Sequence, residues 1–107
     1  AVHYINDTLQ DMNTFGTDNY SFTDHAKHWS ELKGFALSLQ FSPMSPLLPE
    51  QFEELHTLLG DAPVLANATE AEITEYRAAL ISARTLLGDA YDFDAANLGD
   101  ENGENGW

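Results

Sequence analysis

Apolar residues recur at intervals of three and four along most of the chain, and this spacing does most to limit the folds open to it. Such a period places them on one face of an α-helix, whereas a half-buried strand needs alternation at every second residue. Val2, Ile5, Leu9, Met12 and Phe15 follow the helical rule, and Gly16 ends the run before a loop that extends to Tyr20. Trp29, Leu32, Phe35, Ala36 and Leu39 form a second buried stripe, within a helix from about Ser21 to Gln40. Ser21 with Asp24 three residues on resembles a capping box that starts this helix. Ser42-Pro43-Met44-Ser45-Pro46 ends it, because each proline biases its predecessor away from helical geometry. Gly34, inside the helix, costs about 1 kcal/mol relative to Ala. Either a close approach to that backbone explains it, or the fold tolerates it.

A short third helix is predicted from Pro49 to Leu59, with Phe52, Leu55, Leu58 and Leu59 on its buried face. Proline suits the first helical turn, and Gly60 suits the position just past the end. The fourth helix has the clearest start, since Thr69-Glu70-Ala71-Glu72 is a well-formed capping box. Ile73, Tyr76, Leu80, Ala83, Leu87 and Ala90 follow in register as far as Tyr91. No segment combines alternation with β-branched enrichment. The expected fold is therefore all-α, an up-and-down bundle of about four helices over residues 1–91.

From Asp92 to Trp107 the composition turns to Asp, Glu, Asn and Gly, which reads as a flexible, solvated acidic tail. Oxygen ligands suited to calcium are plentiful there, but no register supplies the Asp, Asn, Gly and Glu positions of an EF-hand loop. Tyr91, Phe93 and Trp107 remain able to pin parts of the tail to the bundle.

Composition bounds the function. The 107 residues suffice for one domain or a fragment of a larger one, and 43% hydrophobic residues supply a modest core. Eighteen acidic residues against four basic ones give a net charge of -14, which repels phosphate backbones and anionic membranes and attracts cations. A nucleic-acid partner is thus not expected. The absence of cysteine excludes disulfides, thiolate metal sites and cysteine nucleophiles. No apolar run approaches the roughly 20 residues of a transmembrane helix. The chain opens on Ala1-Val2-His3-Tyr4, already within an amphipathic pattern, and the expectation is a processed or truncated protein that has lost a leader or a whole upstream domain. Three Asn-x-Ser/Thr triplets, at Asn6, Asn19 and Asn67, read as chance matches.

The residues with most chemical potential are His25, His28 and Glu31 on helix two, at successive spacings of three. Side chains three apart are neighbours on a helix, so each adjacent pair can converge on one point. Imidazole and carboxylate together are a common set of ligands for zinc or iron. Asp24 and Ser30 stand where they could orient an imidazole, and Trp29 where it could wall a pocket. One helix cannot close a metal site, so further ligands would come from His3, Asp7, Glu53, Glu54 or His56. The competing reading is that these histidines are boundary or capping residues. Peptidase chemistry is not expected, because a His-Glu-x-x-His motif is absent, and so is Gly-x-Ser-x-Gly.

The run DHAKHWSELKGFALSLQFSP, with AVHYINDTLQDM before it and LHTLLGDAPVL after it, resembles the C-terminal part of an imelysin-like family of bacterial cell-envelope proteins. That resemblance implies a periplasmic or outer-membrane-attached helical protein built from two related bundles and linked to iron uptake. This chain would be about half of such a protein. The family signature is Gly-x-His-x-x-Glu; His28 and Glu31 match it, and Ala26 stands where the glycine should be. The combined expectation is a non-enzymatic envelope binding module with a metal or small ligand near His25, His28 and Glu31. The alternative is a structural bundle that associates with an upstream domain, a second copy or another partner.

Overall fold

The computed structural model describes residues 2–41 and 45–107. Ala1, and the Ser42-Pro43-Met44 part of the proline stop, lie outside the described residues. Four helices make up the bundle: α1 (Val2–Asn13), α2 (Phe22–Ser38), α3 (Pro49–Leu59) and α4 (Glu70–Tyr91). Short 3-10 turns follow α2 at Leu39–Phe41 and α4 at Ala95–Asn97, and there is no strand among the described residues.

Local chemistry sets the helix ends. The Ser21 hydroxyl accepts the Asp24 N–H at 3.2 Å and begins α2. At α4 the reciprocal box forms: the Glu72 N–H reaches Thr69 Oγ1 at 3.2 Å, and the Thr69 N–H reaches Glu72 Oε1 at 3.4 Å. Pro49 opens α3, where the Gln51 side chain accepts the Leu48 N–H at 2.9 Å. Asp92 closes α4 in the left-handed conformation, with φ at 55°.

Each helix contacts two others: α1 lies against α2 and α4, and α3 against α4 and α2, so the four close into a ring. Its interior is filled by Ile5 and Leu9 of α1, Leu32 and Ala36 of α2, Leu55 and Leu59 of α3, and Leu80, Ala83 and Leu87 of α4, all buried. Burial of such side chains contributes about 1.5–3 kcal/mol each and is the main force closing the ring. One polar relay crosses this core. Trp29 Nε1 donates to the Tyr76 hydroxyl at 2.7 Å, and that hydroxyl donates to the Leu59 carbonyl at 2.7 Å. Burial pushes the Tyr76 phenol up to about 12, so it stays a donor at any physiological pH.

One expectation from the helical pattern needs correction, and the close-crossing alternative for Gly34 is removed. Phe35 belongs to the buried stripe by spacing, yet it is 45% exposed, because Leu32 and Ala36 hold the centre of the face and Phe35, about 100° round the helix from Ala36, lies on its flank. No neighbouring side chain or other helix comes within 4 Å of a Cβ placed at Gly34, so no close crossing accounts for that glycine.

The larger correction concerns the tail. Instead of extending into solvent, it folds back onto α1 and α4. Asn6, fully buried on α1, donates through Nδ2 to the carbonyls of Leu98 at 3.0 Å and Trp107 at 2.7 Å. Its Oδ1 accepts from the Arg84 guanidinium at 2.7 Å, which also donates to the Asp100 carbonyl at 2.8 Å. Gln10, Asn13 and Arg77 add bonds to the carbonyls of Gly103, Asn102 and Glu101. Within the tail, the Asp100 carboxylate accepts the N–H groups of Asn102 and Glu104 and the side-chain amide of Asn105. The Glu104 N–H, the Asn105 amide and the Asn102 N–H, in that order, hold Asp100 below its ordinary value. The loop is organised around that carboxylate by its own donors.

Candidate functional site

The histidine face of α2 is turned towards α1 and the loop before α2. His25 is fully buried, in the second turn of its helix. Its Nδ1 lies 2.8 Å from the Tyr20 hydroxyl, and its ring packs between Phe15 and Tyr20 at centroid distances of 5.5 and 5.7 Å. Nε2 is buried without a hydrogen-bond partner. Burial lowers the pKa of His25; the charge of Asp11 opposes this and that of His28 adds to it. His25 is therefore a neutral, packed ring at pH 7.

His28, one turn on, reaches across to α1, where its Nδ1 lies 2.5 Å from Asp11 Oδ2. Burial alone would lower this ring's pKa. The hydrogen bond to Asp11 and the charges of Asp11, Asp7 and Glu31 together outweigh it, and the net shift is upward. The two neighbouring imidazoles are thus driven in opposite directions. Glu31 is partly buried, while Asp24 is exposed in the first turn of α2, where a carboxylate suits the positive end of the helix dipole. Trp29 lies in the core, in the relay through Tyr76, and Ser30 is exposed.

The other proposed ligands are dispersed. His3 pairs with Asp7 at 3.2 Å on α1. The His56 ring packs tilted against Phe52 at a centroid distance of 4.4 Å, and its pKa is lowered by burial and by Lys33. Glu53 and Glu54 are exposed on α3. Among the described residues, no group of three or more His, Asp or Glu side chains is placed to hold a metal ion.

A different site lies at the other end of α2, where the α1 N-terminus, the α2 and α4 C-termini and the tail meet. A cleft of about 300 Å³ is walled by Val2, Phe35, Leu39, Tyr91, Phe93 and Trp107, over a floor that includes Leu87. His3 stands at the rim and adds one of the few polar groups in that lining. The volume is at the lower end for ligand clefts, which are typically apolar with few polar groups. Phe93 stacks on Tyr91 at 5.3 Å and meets Trp107 edge-on at 4.8 Å, so the docked tail builds one wall. Trp107 keeps 46% of its surface exposed. Beyond the rim, Leu39 also lines a second depression, with Leu47, Leu48 and Phe52. Leu48 of that lining is exposed, as is Phe41, which follows lining residue Gln40 in the chain.

From Phe35 to His25 is ten residues, roughly 15 Å along the helix axis, so the cleft and the histidine pair are separate features. Sequence spacing found the histidines and missed the cleft. The signal it held was the aromatic set Tyr91, Phe93 and Trp107, set within a segment otherwise rich in Asp, Asn and Gly. None of the described helices is long and apolar enough to cross a membrane. Comparison with protein-family models, with curated proteins and with solved structures finds no match for this chain.

Proposed function

We propose that the chain is a non-enzymatic binding module that works by association, of the imelysin-like cell-envelope kind its sequence resembles, and that its contact site is the aromatic cleft. The observation that carries this reading is the exposure of large apolar side chains around one concave site. Phe35 and Trp107 line the cleft half-exposed, and exposed Leu48 lies in the neighbouring depression that shares Leu39 with it. Contiguous exposed apolar surface of this kind marks a contact site on proteins that otherwise bury such groups. The His25, His28 and Glu31 face supports a binding role less well, since His25 is enclosed and His28 is engaged by Asp11.

An uncharged environment-sensitive dye such as Nile red tests the cleft directly. Its fluorescence is expected to rise on binding the protein, and to lose most of that rise in Phe35→Ser and Trp107→Ala. Equal dye uptake by both variants would remove the cleft from the reading.

A further inference from the structure

Next to the exposed apolar surface of the cleft lies negative charge that no Lys or Arg in its lining offsets. Asp92 and Asp94, both exposed, are the chain neighbours of lining residue Phe93 and have no basic partner among the described ion pairs, whereas Asp7 is paired with His3. Two helices, α2 and α4, end here, and neither has a basic residue in its last turn. Helix C-termini carry partial negative charge from carbonyls without intrahelical partners. The N-terminus of α1 offsets one of the two.

Among the described residues, no Lys or Arg lines this end of the molecule. Both ion pairs found among them use histidine, His3 with Asp7 and His28 with Asp11. Arg77 and Arg84 are spent on oxygens that carry no formal charge: the Leu9 and Glu101 carbonyls for one, the Asn6 amide and Asp100 carbonyl for the other. Lys27 and Lys33 lie on α2 and do not line the cleft. Of the possible occupants, a second copy would bring another net charge of -14 against the first, and an anionic membrane would be repelled in the same way. A basic protein segment meets both properties.

We propose that the cleft receives the apolar anchor side chain of a cationic amphipathic segment from a partner protein, whose Lys or Arg residues face Asp92, Asp94 and the ends of α2 and α4. This rests on reading the cleft as the contact site. The anchor is one aromatic or branched aliphatic side chain, which is what about 300 Å³ between Phe35, Leu39 and Trp107 can hold. Burial of that side chain supplies affinity, and the surrounding charge supplies the choice of partner and the speed of encounter.

Three short synthetic peptides without tryptophan separate the two contributions: an amphipathic Leu/Lys helix, its Leu/Glu counterpart, and a Ser/Lys peptide of equal charge. Trp107 reports the cleft, and buried Trp29, bonded to Tyr76, reports the integrity of the core. The Leu/Lys peptide is expected to shift Trp107 emission to the blue and to displace Nile red. It should weaken roughly tenfold in Phe35→Ser, the scale of losing one anchor contact, and weaken again in high salt. The Ser/Lys peptide, which has the charge without the anchor, should do neither. The double variant Asp92→Asn with Asp94→Asn preserves the backbone, because Asn tolerates the left-handed conformation at 92 and still accepts the Ala96 N–H at 94. It should lose peptide affinity while keeping dye binding. If the Leu/Glu peptide binds as tightly as Leu/Lys, or the double variant is unaffected, the cationic partner is wrong and the cleft stands. Dye binding without Leu/Lys binding overturns the cationic partner in the same way. If neither dye nor peptide binds, the contact site falls with it.

Discussion

The acidic tail and the histidine face of α2 invert what their compositions suggest. The tail has the residues of a disordered terminus, yet its carbonyls are tied to Asn6, Gln10, Asn13, Arg77 and Arg84. The histidine face has the residues of a metal site, yet His25 is packed between aromatic rings and His28 is held by Asp11. Polar residues in the tail act through the backbone they bind, and ionisable residues on α2 act through burial and one neighbouring charge. Residue type indicates what a group can do. Which partner faces it across the bundle decides what it does.

The strongest way to break this comparison is to remove the hub of the tail. Asn6→Ala deletes two donated bonds and the acceptor of buried Arg84, leaving a guanidinium and two carbonyls without their partner. A loss of about 3 kcal/mol is expected in urea unfolding, since unsatisfied buried groups cost about 1–3 kcal/mol each and some will find water. A loss below about 0.5 kcal/mol, small against that unsatisfied-group cost, would return the tail to its compositional reading.

A smaller effect, about 2 kcal/mol, is expected for Gly103→Ala, because a side chain held in the left-handed region costs of order 1–3 kcal/mol. Gly103 has φ at 78°, and a Cβ there would come within 2.5 Å of the Asn6 carbonyl oxygen, a clash that adds to the strain. The readout is again urea unfolding, together with amide hydrogen exchange at residues 98–107, which should quicken in the variant. Unchanged exchange there would mean that the tail does not depend on its approach to α1.

The smallest effect sharpens the other half of the comparison. The folded state lowers the pKa of His25 below its ordinary 6.5, so its contribution to stability is full above that value and falls as pH drops through it. His28 is raised above 6.5, so its contribution is full below that value and is lost as pH rises through the folded-state pKa. The two slopes oppose each other in the wild type. Unfolding midpoints between roughly pH 5 and 8, the range in which histidine titrates, should fall less towards acid in His25→Phe and less towards alkali in His28→Gln. Two variant profiles parallel to the wild type would show that neither ring is coupled to folding.

Much of the fold was legible because its determinants are local. Thr69 and Glu72 lie three residues apart and start α4 through bonds to each other, and the apolar register from Ile73 runs to the observed end at Tyr91. Ser21 marks α2 in the same way. The site was less legible. Spacing placed His25 and His28 on neighbouring turns, but Asp11 and Tyr20, which fix their states, come from α1 and a loop. Gly99, Gly103 and Gly106 look like markers of disorder until α1 and the tail's own backbone are in place. Another part of the chain then passes too close for a Cβ at Gly103 and Gly106, and Gly99 combines a tight approach with φ of 95°. Phe35 keeps helical spacing and still stands half-exposed, because it lies at the edge of a stripe whose centre Leu32 and Ala36 occupy.

Asn6 has a consequence for the order in which this molecule is completed. Its three partners, Arg84, Leu98 and Trp107, lie 78, 92 and 101 residues downstream. During synthesis α1 emerges before all three of them, with a polar group on its buried face that nothing nearby in the chain satisfies. The helix pairs α1–α2 and α3–α4 are each contiguous in the chain and close over short loops, whereas the clasp around Asn6 closes the longest loop in the fold and carries its entropic cost. The wall of the aromatic cleft that holds Phe93 and Trp107 is therefore completed only after the four helices have been made, and a nascent chain displays the apolar floor before it has the wall that shapes it.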